Sequence, residues 1–184
     1  MDITPDLHLA ETCIDGEAVY DGALLHVRRD RVRLPDGAAA TREYIVHPGA
    51  VLVVPLLADG RLLVERQFRY PLQRVFIEFP AGKIDPDETP RDTALREMIE
   101  ETGYEVAHLT PLGQLHPVIS YSTETIHCYL GEGLRHVGAR LDHGEFLEVH
   151  ALGVDALLEA FDRGEVTDAK TIAALFLYLR KVRR

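Results

Sequence analysis

The chain has 184 residues, 46% of them hydrophobic and 27% charged, with a formal net charge of −10 at pH 7. That is the composition of a globular protein with one well-packed domain and room for a small appended unit. The acidic balance argues against nucleic-acid binding, which usually needs a basic face to meet phosphates, and no run approaches the ~18 consecutive apolar residues of a membrane span.

Residues 1–6 lack a basic region followed by an apolar core, so the expectation is a cytoplasmic protein. Cys13 and Cys128 lie far apart without metal-ligand spacing, which predicts two small buried residues rather than a disulfide or a zinc site. Residues 18–20, 24–28 and 32–34 read as short strands separated by the turn signals Asp21-Gly22 and Pro35-Asp36-Gly37. Residues 1–46 are thus expected to be a small antiparallel unit. It holds too few apolar residues to bury a core alone and must pack on the following domain or on a second subunit.

The second domain is expected to occupy 47–184. Residues 50–57 form an apolar run of strand length, predicting a central strand buried on both sides. Asp59-Gly60 turns it, and residues 61–69 return as its partner in a hairpin. A third strand over 75–79 feeds Pro80-Ala81-Gly82.

Thr89, Pro90 and Asp92 form a helix start, because the threonine hydroxyl can accept an orphan backbone N–H and proline suits the first helical position. Gly103 supplies the left-handed residue that ends the helix, which is predicted over 90–102. On a 3.6-residue period Ala94, Leu95, Met98 and Ile99 share one face, while Glu97, Glu100 and Glu101 gather opposite. Three such carboxylates repel one another by a few tenths of a kcal/mol per pair. A hard divalent cation with oxygen ligands would resolve the repulsion; a solvated helix face is the alternative for any glutamate-rich helix.

Beyond this helix, strands are expected over 112–116 and 125–130. The polar loop between them, 120–124, either lines a substrate pocket or is plain surface. A second polar loop, 141–145, precedes a strand over 146–152. Helices are predicted over 154–162 and 168–181, the latter with Ile172, Leu175, Phe176 and Leu179 as a core stripe. The basic tail 180–184 complements the carboxyl end of that last helix. A mixed sheet with helices before and after it gives an α/β sandwich.

Gly82, Glu88, Arg96, Glu97, Met98, Glu100, Glu101, Gly103 and Tyr104 fit the pattern G, five residues, E, seven residues, R-E-apolar-x-E-E-x-G-apolar. Seven fixed identities at fixed spacing arise by chance about once in 10⁸ windows or fewer, which displaces the solvated-face reading. The stretch resembles the Nudix box, with Tyr104 where the family usually has an aliphatic residue. The flanking segments Glu78-Phe-Pro-Ala-Gly82, Arg42-Glu43, Gln67-Phe-Arg69 and Gly144-Glu145-Phe-Leu-Glu-Val149 are similar to those of the ADP-ribose and ADP-sugar pyrophosphatase branch. At Pro117 the chain departs from that branch, continuing Val118-Ile119-Ser120 where a second proline and a glycine are common.

The resemblance implies a Nudix-type α/β/α sandwich preceded by the β unit, and a Mg²⁺-dependent hydrolase, with Mn²⁺ able to substitute. The substrate would be the diphosphate of ADP-ribose, released as AMP and ribose 5-phosphate, or that of another nucleoside-diphosphate sugar such as GDP-mannose. A non-catalytic ligand-binding regulator is a third reading. Glu97 and Glu101 would hold metal, with Glu100 assisting and the carbonyl of Ala81 completing the ligand set. Glu145 would approach as a ligand or as the base that positions water, and Arg96 would orient a neighbouring carboxylate. Arg42, Glu43, Arg69, Glu78 and Glu124 are candidates for substrate contacts, the arginines because a guanidinium fork matches phosphate. The branch also implies a homodimer in which the partner's amino-terminal unit helps to hold the base.

Overall fold

The computed structural model describes residues 6–141 and 143–182 and divides into two compact units. Residues 1–5, Asp142 in the second polar loop, and the tail residues 183–184 lie outside the described residues.

The first unit holds β1 (Thr12–Asp21), β2 (His26–Arg33) and β3 (Ala39–Val46), antiparallel in that order, together with residues 118–124. The expected strands at 24–28 and 32–34 are one strand, β2. The charged residues between them are paired across the sheet rather than turned out of it. Asp30 is buried and accepts bonds from the Tyr44 hydroxyl (2.7 Å) and the Arg28 guanidinium (3.1 Å). Arg29 bonds Glu43 at 2.8 Å, and Arg31 bonds Asp15 at 2.5 Å. Ion pairs hold this sheet in place of a core: every residue of β1 is exposed, Cys13 included, against the expectation that both cysteines are buried.

Residues 118–124 extend the same unit. Ile45 donates its N–H to the Tyr121 carbonyl (2.9 Å) and accepts from the N–H of Thr123 (3.0 Å), while the N–H of His47 reaches Thr123 Oγ1 at 2.9 Å. The polar loop read from the sequence is therefore an added backbone partner for β3.

The second unit contains two sheets. β7 (Ala81–Lys83), β4 (Ala50–Pro55), β9 (Ile126–His136) and β8 (Tyr104–Leu115) form a mixed sheet in which only β4 and β9 run parallel. β10 (Leu147–Leu152), β5 (Leu62–Arg69) and β6 (Arg74–Glu78) form an antiparallel one. The expected hairpin of 50–57 with 61–69 does not form. β4 has both edges filled by β7 and β9, so β5 joins β6 and β10, and the two segments keep a single bridge at Leu56 and Leu62.

All of β4 is buried, and its alternation divides the core. Val51 and Val53 pack with Ala94, Met98 and Leu109 on one side, whereas Leu52 and Val54 pack with Leu62, Val64, Phe79, Leu157 and Leu175 on the other. Each such side chain removed from water contributes about 1.5–3 kcal/mol. β8 begins well before the expected residue 112. It tolerates Pro111 because it is an edge strand whose register shifts there, the setting in which proline costs no ladder bond.

α2 (Val154–Asp162) has its expected bounds, and α3 spans Ala169–Val182. The buried stripe of α3 is Thr171, Ala174, Leu175 and Tyr178, while Phe176 is 61% exposed, which corrects the predicted stripe. Thr171 can face inward because its hydroxyl donates to Asp168 (2.6 Å) and accepts from the Phe79 N–H (3.0 Å). Among the described residues no helix is long and apolar enough to cross a membrane.

Candidate active site

The site grows from the helix that carries the motif glutamates. α1 runs Pro90–Glu97, and Thr89 caps it by accepting the N–H of Asp92 at 3.2 Å. The chain then widens into one π-helical turn, Met98–Thr102, where an α-helix through 102 is predicted. Thr102 Oγ1 bonds back to the Met98 carbonyl, a local bond that competes with the regular ladder. Gly103, at φ +76°, closes the turn by donating to the Ile99 carbonyl. Such wide turns recur at functional sites because they re-aim side chains. Here Glu101 turns inward and is 5% exposed rather than sharing an outer face with Glu97 and Glu100.

Inward-facing glutamates need partners, and α1 supplies some. Arg96 Nη1 donates to Glu97 Oε1 (2.9 Å) and to Glu100 Oε2 (2.8 Å). Its Nε and Nη2 fork onto Glu88 at 3.0 Å each. The guanidinium, followed by the Thr93 hydroxyl, holds the Glu88 carboxyl down at about 2. Glu101 accepts the backbone N–H of Ala81 at 3.1 Å. A Cβ on Gly82 would stand 1.9 Å from Glu97 Oε1, so glycine is required there for the carboxylate to lie against the backbone.

β5 builds the opposite wall, since its period of two turns Glu65, Gln67 and Arg69 to one face. Arg69 forks onto both oxygens of Glu78 at 2.7 and 2.8 Å. Gln67 Nε2 lies 3.4 Å from Glu145 Oε1, which ties Glu145 to this wall. Lys170, at the start of α3, bonds Glu78 and also Asp168 (3.0 Å). Burial pushes Glu78 up, but Arg69 and Lys170 outweigh it and leave the carboxyl below its ordinary range. Glu65 is 3% exposed, and among the described residues its Oε1 has no hydrogen-bond partner.

The site thus gathers Glu65, Glu97, Glu101 and Glu145 into mutual electrostatic reach. Burial, then the charges of Glu145 and Glu78, push Glu65 up. Burial, then Glu65, Glu97 and Glu145, push Glu101 up. Burial also raises Glu97, against the pull of Arg96. Neither Glu65 nor Lys170 is evident from the spacing pattern. The signal for Glu65 is a charge interrupting the apolar run Leu62-Leu63-Val64 in phase with Gln67 and Arg69; for Lys170 no sequence signal separates it from a surface lysine.

Three further candidates lie in the first unit. Arg42 bonds Glu11 through Nε (2.9 Å) and Nη2 (2.5 Å), Glu43 accepts Arg29, and Glu124 stands 3.9 Å from His47 Nε2. The exposed Arg42 pair is worth at most ~1 kcal/mol.

The residues fit a divalent cation. Among the described residues no three acidic, histidine or cysteine side chains close into a ligand set. The fit lies in an all-oxygen donor set, in like charges crowded out of water, and in an orphaned buried carboxylate oxygen.

Residues 46–175 match the NUDIX domain family, and residues 11–45 match the nucleoside diphosphate sugar hydrolase N-terminal domain. An ADP-ribose pyrophosphatase of Bacillus subtilis (strain 168) is 37% identical over 94% of this chain and 95% of its own. A methanol dehydrogenase activator of Bacillus methanolicus is 35% identical over 90% of each. A crystal structure of an ADP compounds hydrolase superposes with a TM-score of 0.84 over 94% of both chains at 24% identity, a likeness of fold.

Proposed function

The chain belongs to the Nudix hydrolase family, and on that premise we propose that it cleaves the diphosphate of ADP-ribose to AMP and ribose 5-phosphate with a divalent cation, Mg²⁺ or in its place Mn²⁺. The observation that carries this reading is the near full-length similarity to a relative of that activity, in a chain whose glutamates crowd one buried site.

Glu97 and Glu101 would hold the cation, with Glu100 and the Ala81 carbonyl assisting. When bound, the cation neutralises diphosphate oxygens and makes water a better nucleophile. Arg96 keeps Glu97 and Glu100 in position through its two bonds, since a ligand free to rotate would lose the geometry the reaction needs. Glu145, on a loop and bonded by Gln67, is the carboxylate suited to take a proton from the attacking water at Oε1 or Oε2. Arg69 is committed to Glu78 and would reach substrate by sharing one arm of its fork. Arg42, Glu43 and Glu124 are proposed to contact the nucleoside end, within a homodimer in the cytoplasm.

The match of residues 11–45 to a domain of nucleoside diphosphate sugar hydrolases favours a second reading, in which the substrate is another such sugar, for example GDP-mannose. The metal assignment is tested with Glu101→Gln. Retained fold with turnover lowered on the order of 10²-fold or more is expected; near wild-type hydrolysis would refute it.

A further inference from the structure

Glu65 stands directly opposite Glu78 in the β5–β6 pairing, and like charges so placed destabilise a sheet. The cations nearby are already taken. Arg69 uses both arms of its fork on Glu78, and Lys170 bonds Glu78 and Asp168. Glu78 is therefore compensated, whereas the buried Oε1 of Glu65 has no hydrogen-bond partner among the described residues, and the carboxylates of Glu145, Glu97 and Glu101 lie within electrostatic reach of it. A buried polar atom left unpaired costs free energy, and a strand residue needed only for packing would be aliphatic, as Leu63 and Val64 beside it are. The in-phase neighbours show what this face of β5 does: Arg69 binds one carboxylate of the site and Gln67 another.

We propose that Glu65 is a further oxygen ligand of the divalent cation, contributed by β5 from outside the glutamate motif that carries Glu97 and Glu101. The inference rests on the cation-dependent reading above. It makes the strand wall part of the cation site, so that cation affinity depends on the packing of β5 as well as on the helix.

The test is Mn²⁺ binding to substrate-free protein, followed by the electron paramagnetic resonance of free Mn²⁺, for wild type, Glu65→Gln, Glu65→Val and Glu101→Gln. Glu65→Gln is expected to weaken Mn²⁺ binding roughly tenfold or more. It should also raise the melting temperature in chelator, since a carboxyl group crowded among other carboxyl groups is removed. Glu65→Val, which matches its aliphatic neighbours, should do both as well. Unchanged Mn²⁺ affinity and stoichiometry in both Glu65 variants, with loss in Glu101→Gln, would overturn this inference alone. Absence of Mn²⁺ binding by the wild type would overturn the cation-dependent reading and this one with it.

Discussion

Glu97 Oε1 lies where a methyl group on Gly82 would be, and that contact makes the first glycine of the motif a test of geometry rather than of charge. Gly82→Ala is expected to keep the fold, because the obstructed atom is the end of a flexible side chain. It should lower kcat on the order of 10²-fold, the cost of about 1 Å of misplacement. Thermal denaturation and steady-state kinetics on the same preparation check both halves. The crowding of Glu65 and Glu101 has its own consequence. Both carboxyls are held above their ordinary range, chiefly by burial, so the folded protein keeps protons that the unfolded chain releases. That contribution is present at low pH and is lost as pH rises, so cation-free protein should melt at lower temperature from roughly pH 5 toward pH 8. Added Mg²⁺ should raise the melting temperature most at the upper end; a metal-free melting temperature that climbs over this range would contradict the account. At this scale the motif glutamates are legible because their spacing is distinctive. Glu65 is not, since its significance comes from a cross-strand neighbour and from cations already committed elsewhere.

Among the elements, the π-helical turn at Met98–Thr102 does what a regular helix would not, sending Glu101 inward while Glu100 stays with Arg96. Its closure depends on Gly103, whose left-handed backbone is accompanied by a gap too small for a side chain: a Cβ would meet the Ala139 nitrogen at 2.6 Å. Gly103→Ala should therefore destabilise by more than ~1 kcal/mol, read from urea denaturation midpoints at unchanged slope. The helix start is readable from Thr89, Pro90 and Asp92, and its end from Gly103, because caps are local chemistry. The widening between them carries a side-chain bond from Thr102 to the Met98 carbonyl, and no periodicity reveals it. The strands follow the same division. Turn residues mark where β1, β2 and β5 end or begin, but whether β4 pairs with β5 or with β9 depends on which edges other strands fill. The buried stripe of α3 is misread for a related reason. Thr171 and Tyr178 are polar by composition and become core residues only through the bonds and space that the folded unit offers.

For the whole molecule, the first unit presents Ile14, Val19 and Tyr20 at 38%, 39% and 58% exposure on a strand with no buried residue. Apolar residues in that setting suit a second copy of the chain, and sedimentation equilibrium is expected to give twice the 20.6 kDa chain mass. A catalytically competent monomer would remove the dimer from the account. With a net charge of −10 the protein would meet an anionic substrate only where charge is locally compensated, the role proposed for the cation and the arginines. Reaction and substrate are tested most directly by kcat/KM across ADP-ribose, GDP-mannose and other nucleoside-diphosphate sugars, with Mg²⁺ and with chelator, identifying the products. The expected result is highest kcat/KM for ADP-ribose, with AMP and ribose 5-phosphate formed in equal amounts and turnover abolished by the chelator. Turnover that persists in chelator, or no diphosphate cleaved in any of the sugars, would contradict it.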